Sequence, residues 1–281
     1  TPRTYGAAAV DPVGSVSIID MGSRTVSATA TLAGVAQSGS HIRSNTGMDF
    51  EPEYIAINKA GTQAYVSLQE ANAMGVLNLQ TGTFESVIGL GAKDISAAGN
   101  RIDPLNNGTA SLISVAAQGL YMPDGMASYD VAGKTYVVMA NEGDFREDDA
   151  DRSAASSLGA AAPLNALRVS NTDSSAGNLY TAGARSFSIR DTAGNLVFDS
   201  GEMLDAKAIE LGLYDDNRSR DKGVEPEGVE LMTLGGRTYA FIGLERTTKS
   251  AIGVIDIPDP ANTSFETKKH SDTDISHEGQ E

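Results

Sequence analysis

The sequence has no cysteine and no tryptophan. The first absence removes disulfide frames, thiolate catalysis and cysteine zinc sites. The second removes carbohydrate platforms built on stacked indoles. Positive charge is scarce: 21 Lys and Arg stand against 37 Asp and Glu, a net charge of −16. Such a surface repels phosphate backbones, which argues against nucleic acid as a partner, and it suits a protein that meets cations. No run approaches the roughly 18 apolar residues of a membrane span. The opening Thr1-Pro2-Arg3-Thr4-Tyr5 is not a basic region followed by an apolar one, and no initiator Met precedes it. The chain is therefore expected to start downstream of a processing boundary.

What is present is enough to fold. The 281 residues are 40% hydrophobic, which excludes bulk disorder and allows a sizeable core. Few segments show helical period, and short β-rich runs dominate, among them residues 16–20, 26–32, 54–58, 64–68, 75–79, 135–140, 229–233, 238–243 and 253–257. Turn signals such as Lys59-Ala60-Gly61, Thr81-Gly82, Ala132-Gly133 and Gly235-Gly236 separate them. Many short strands with regular turns read as all-β, a sandwich or a propeller.

Internal repeats favour the propeller. Phe50-Glu51-Pro52-Glu53-Tyr54, Tyr121-Met122-Pro123-Asp124-Gly125, Val224-Glu225-Pro226-Glu227-Gly228 and Ile275-Ser276-His277-Glu278-Gly279 each carry an acid at the fourth position. The first three continue into a second strand that ends on Glu70, Glu142 or Glu245, the second acid standing 17 or 18 positions after the first. A repeated acid–strand–turn–strand–acid unit is what a propeller blade needs. The chain is read as one propeller domain over 1–281, cut through a blade at each end, with an insertion at about 143–183 that looks like a loop or lid. A small open solenoid is the alternative. Shorter insertions fall at 93–119 and 202–223, and residues 206–213 read as one or two helical turns.

Innermost strands line a propeller's axis, so Glu53, Asp124, Glu227 and Glu278 are expected to gather at one end of it. Glu70, Glu142 and Glu245 return to the same rim. Two like charges about 4 Å apart repel by roughly 4 kcal/mol at an effective dielectric near 20, so such a rim holds protons or binds cations. Oxygen donors without cysteine and with only three scattered histidines favour Ca²⁺ or Mg²⁺ over zinc, and the loose geometry of Ca²⁺ suits scattered carboxylates better. Asp144, just beyond Glu142, is a further candidate ligand. Set against this, the acids after proline could simply be solvated where the chain turns into the strand. Arg218, Arg220 and Lys222 are unusual in so acidic a chain, and with Arg185 and Arg246 they are candidates to grip a phosphate or carboxylate; local neutralisation of neighbouring acids is the other reading. No Ser–His–Asp order, nucleophile elbow or phosphate-cradling glycine loop is found.

Several runs resemble a known family. They are residues 11–20 (Asp11-Pro12-Val13-Gly14-Ser15-Val16-Ser17-Ile18-Ile19-Asp20), Glu51-Pro52-Glu53-Tyr54-Ile55-Ala56, Ala140-Asn141-Glu142-Gly143-Asp144, Gly183-Ala184-Arg185-Ser186-Phe187-Ser188-Ile189, Asp221-Lys222-Gly223-Val224-Glu225-Pro226-Glu227-Gly228-Val229 and Tyr239-Ala240-Phe241-Ile242-Gly243-Leu244-Glu245-Arg246. Together they resemble the choice-of-anchor I proteins, bacterial exported or surface-anchored propellers labelled alkaline phosphatase-like or mesenchyme-specific cell-surface glycoprotein-like. The resemblance implies about seven blades, a signal peptide upstream, and a secreted, periplasmic or cell-surface setting. His277 stands where the motif has Pro, which sets Glu278 apart from the other first acids.

Two functions fit these readings. One is an exported, calcium-dependent hydrolase of phosphoesters, with Glu142, Glu245, Arg185, Arg246 and Lys222 at the reacting group and Glu53, Asp124, Glu142, Asp144, Glu227, Glu245 and Glu278 around the metal. The other is a non-enzymatic, calcium-stabilised surface or matrix propeller that binds partners or self-assembles. The expected partner is a small anionic substrate in the first case and a surface or matrix component in the second.

Overall fold

The computed structural model describes residues 13–43, 50–145 and 151–265. The protein is all-β, with one α-helix among those residues. A hairpin of β1 (Ser15–Asp20) and β2 (Thr25–Thr31) comes first. Next are β3 (Gln37–Ser40), β4 (Pro52–Ile57), β5 (Gln63–Leu68), β6 (Ala73–Asn78) and β7 (Thr83–Leu90), which form a sheet in the order β3-β7-β6-β5-β4. The meander β4 to β7 follows the apolar runs and turns of the sequence. The strand β3 does not: Gln-Ser-Gly-Ser has no apolar alternation, yet it adds parallel to the outer edge of β7.

The chain continues through β8 (Ala92–Asp94) and β9 (Gln118–Leu120) to β10 (Met126–Val131) and β11 (Lys134–Asn141). The strands β12 (Arg152–Ala154) and β13 (Arg168–Ser170) pair with each other, and β14 (Tyr180–Thr181) joins β9 in parallel. Then β15 (Ser186–Asp191) and β16 (Leu196–Asp199) complete a second large sheet, β10-β11-β15-β16. The helix α1 (Met203–Glu210) realises the helical segment read at 206–213, displaced by three residues. A third large sheet is the meander β17 (Pro226–Leu234), β18 (Arg237–Leu244), β19 (Ala251–Asp259) and β20 (Asn262–Phe265).

The three large sheets stack face to face, and strand alternation explains how. In β11, Val137 and Met139 face the first sheet and pack with Tyr65, Met74 and Ile88. Val138 and Ala140, on the opposite face, pack with Ala240, Ile242 and Ile255 of the third sheet. In β5 the same alternation sends Tyr65 toward the second sheet and Ala64, Val66 and Leu68 toward the β1–β2 hairpin. Both faces of β5 and β11 are thus buried, and their sequences read as continuous apolar runs. The first strands adjoin, β10 lying against both β4 and β17. Among the described residues the sheets do not close into a ring.

The insertions are more than a loop or lid. Residues from 95–117 and 155–179 share a hydrophobic cluster of their own, including Ile95, Ile102, Val115, Leu167, Val169 and Leu179. Arg43 ties this cap to the first sheet. Its guanidinium donates to both oxygens of buried Asp151 at 2.8 and 2.9 Å, to Asp173 at 3.0 Å and to the Glu70 carbonyl at 3.1 Å.

Candidate functional site

Two of the repeated acids enter their strands through the same irregularity. Pairing of β4 with β5 passes from Pro52↔Leu68 to Ile55↔Val66, leaving Glu53 and Tyr54 opposite Ser67 alone. Pairing of β17 with β18 passes from Pro226↔Leu244 to Val229↔Ile242, leaving Glu227 and Gly228 opposite Gly243. Two residues against one is a bulge, which re-aims side chains at a strand end. The Ser67 hydroxyl accepts the stranded Tyr54 N–H at 2.8 Å. The middle repeat uses a close approach instead. Gly125 N donates to the Glu227 carbonyl at 2.9 Å, and a Cβ at 125 would sit 2.3 Å from that oxygen. Glycine after Asp124 is therefore required where two first strands touch.

Glu70, Glu142 and Glu245 follow the ends of β5, β11 and β18 and return to the same side. The electrostatics of the two sets are mutual. Glu53 has an open surface, yet protein surrounds it closely enough that lost hydration is the first cause pushing its carboxyl up to about 9. The charges of Glu70, Asp124, Asp144 and Glu142 add to the rise. Asp124 is pushed up to about 6 by burial and by Glu227, against the pull of Lys222. Glu142, buried, is pushed up to about 7 by burial, although Lys222 and Gln69 both favour its charged form.

The rim divides into two parts. In one, Lys222 Nζ lies 2.5 Å from Glu142 Oε1 and 3.0 Å from Glu225 Oε2. Arg218 Nε bonds Glu225 Oε1 at 2.5 Å, Arg246 Nη2 bonds Glu245 Oε1 at 2.9 Å, and Gln69 Nε2 donates to Glu142 Oε2 at 2.9 Å. In the other part, Glu53, Asp124, Asp144 and Glu227 form no ion pair with any described residue. An oxygen from each of Glu142, Glu225 and Glu245 lies within 4.8 Å of the others, a spacing a Ca²⁺ ion can span. Lys222 already stands among them, so an ion there would have to displace the ammonium.

Glu225 is the rim residue that the repeat pattern passes over. It precedes the proline, is 1% exposed, and takes a left-handed backbone with φ of 52°. A glutamate directly before Pro226 with three basic residues in the preceding seven was the available signal. The structure does not bring Arg185 to this group. Its buried guanidinium donates to the carbonyls of Asp103 at 3.1 Å, Ser219 at 2.6 Å and Asp221 at 3.0 Å, and lies 3.9 Å from buried Asp205. Glu278 lies outside the described residues.

A family model described as the choice-of-anchor I domain matches residues 2–260. No curated protein matches the chain. Among solved structures, a chain of hydrazine synthase from Kuenenia stuttgartiensis is similar over 86% of this chain at 12% identity, with a TM-score of 0.29. This chain spans 57% of that one. A likeness so loose carries no argument about fold or activity.

Proposed function

This chain belongs to the choice-of-anchor I family, and from that premise we propose that it is a β-propeller domain whose acidic rim binds Ca²⁺. Membership in the family implies an extracellular or surface-associated protein. No helix among the described residues is long and apolar enough to cross a membrane. The ring reading rests on three stacked meanders with adjoining first strands, each introduced by the same acid. On that reading residues 1–281 belong to one domain of about seven blades.

One observation carries the metal reading: Glu53, Asp124, Asp144 and Glu227, from three successive repeats, are linked by mutual repulsion and form no ion pair among the described residues. Their charges disfavour one another, as the raised Glu53 and Asp124 record. A divalent ion removes that repulsion, and oxygen donors on separate sheets suit the loose geometry of Ca²⁺. The role that follows is rigidification of one end of the stack at a surface, where outer faces remain free for a partner. Melting the full-length protein in chelator and in Ca²⁺ tests it. The midpoint should rise with Ca²⁺, and an unmoved midpoint rejects the rim as a metal site.

A second reading, phosphoester hydrolysis, is favoured by Glu142 and Arg246. A carboxyl pushed up to about 7 is suited to proton transfer at neutral pH. Lys222 and Gln69 hold it in place, and half-exposed Arg246, leaning on Glu245, is available to steady an anionic group. Bound beside them, Ca²⁺ would neutralise phosphoryl oxygens and acidify water. A panel of phosphoesters assayed with and without Ca²⁺ separates the two readings: turnover abolished by Glu142→Gln supports the hydrolase, and no turnover leaves the binding propeller.

A further inference from the structure

The basic run Arg218, Arg220 and Lys222 is not used uniformly. Arg218 and Lys222 are committed to Glu225 and Glu142. Arg220 forms no ion pair and no side-chain hydrogen bond among the described residues, and its Nε is buried without an acceptor. A guanidinium keeps its charge at any ordinary pH, and a buried N–H without an acceptor is costly unless something supplies one.

The neighbourhood adds to this. Arg168 N donates to the Arg220 carbonyl at 2.8 Å, which runs the start of β13 alongside the 218–222 segment. Arg168, partly buried, also has no ion pair among the described residues. Arg152 sits two pairing positions away, since Arg168 faces Ala154 and Arg152 faces Ser170 across β12 and β13. Arg152 lies 3.9 Å from Asp221.

The segment is also held still. Arg185 takes the carbonyls of Ser219 and Asp221, and Arg168 N takes that of Arg220. Three successive carbonyls are thus fixed, so little backbone freedom is left to lose on binding. We propose that Arg220 and Arg168, where the 218–222 segment runs alongside the cap, form a binding site for an oxyanion, the phosphate or carboxylate group of a ligand. The site needs neither the metal rim nor a reaction there.

Calorimetric titration of the full chain in chelator, at constant ionic strength, tests it with inorganic phosphate in one arm and succinate in the other. Saturable binding of either is expected, and the tighter arm identifies the group recognised. Arg220→Gln should weaken that binding about tenfold or more, the loss expected for one charged hydrogen-bond set, and Arg168→Gln should weaken it severalfold. Lys134→Gln, the same charge change on an exposed turn of the second sheet, should leave it within about twofold. Melting curves identify any variant that fails to fold, and the other arginine variant then decides. Binding of neither anion, or equal binding by wild type and both arginine variants, overturns the proposal.

Discussion

The two parts of the acidic rim contain the same residue types and reach opposite electrostatic states. Around Glu142, Glu225 and Glu245 the chain supplies its own cations, Lys222, Arg218 and Arg246. Around Glu53, Asp124, Asp144 and Glu227 no cation among the described residues pairs with them. The difference arises from the 218–225 segment, which precedes the third large sheet only. The division follows the repeat: the first acids Glu53, Asp124 and Glu227 lie in one part, and the second acids Glu142 and Glu245 in the other. One set is a partly buried ion-pair network that holds the segment in place, and the other forms no ion pair among the described residues.

The largest expected effect comes from making the first part resemble the second. Lys222→Met removes the ammonium between buried Glu142 and Glu225. Removing one partner from a buried pair costs about 3–5 kcal/mol, and urea unfolding without metal should report it. Ca²⁺ should then restore more stability to this variant than it adds to wild type, since the vacated place is lined by three carboxylates. A loss below about 1 kcal/mol would mean that the pairing does not hold the segment.

Next in size is the response to pH. Glu53, Glu142, Asp124 and buried Asp205 are all pushed up, to about 9, 7, 6 and 6. An acid whose folded value is raised binds its proton more tightly in the folded state. Its contribution is complete below the unfolded value and is lost as pH rises through the folded one. The metal-free protein should therefore lose stability between about pH 5 and pH 9, with urea midpoints falling at each step. Ca²⁺ should flatten that slope, because it favours the charged forms. A midpoint that rises with pH across this window contradicts the crowding of unpaired acids.

A smaller effect separates the two parts directly. Glu227→Gln should reduce the gain in melting temperature on adding Ca²⁺ by at least half, whereas Glu245→Gln, whose carboxylate already leans on Arg246, should reduce it less. Smallest of all is Glu230→Gln. This exposed acid lies three residues along β17 from Glu227, beyond the bulge, and its substitution should change stability by no more than about 0.5 kcal/mol and Ca²⁺ response not at all. Melting curves on the four proteins check the order.

Much of the fold was legible because each sheet's strands carry their own signal. The runs at 64–68 and 135–140 are apolar on both faces, and the structure buries both. Repetition of the acid before each first strand puts Glu53, Asp124 and Glu227 into one set, and in the folded chain Asp124 acts on Glu53 and Glu227 on Asp124. The strand β3 was not legible, since a polar segment pairing with a distant edge leaves no periodic trace. The cap's separate cluster was hidden for a related reason: its apolar residues are spaced singly among Ala, Ser and Asn and meet only through tertiary contact. Arg185 shows the limit for side chains. Sequence marks it as a cation near acids, but only coordinates reveal that carbonyls of residues 103, 219 and 221 occupy its donors.

The central claim is that the unpaired acids hold a divalent cation. Calorimetric titration of the full-length protein with Ca²⁺, beside Glu227→Gln and Glu245→Gln, tests it most directly. The account predicts saturable binding by wild type, a loss of about tenfold or more in affinity for Glu227→Gln, where one charged ligand is removed, and a smaller loss for Glu245→Gln. Absence of binding, or equal affinity in wild type and Glu227→Gln, would contradict it.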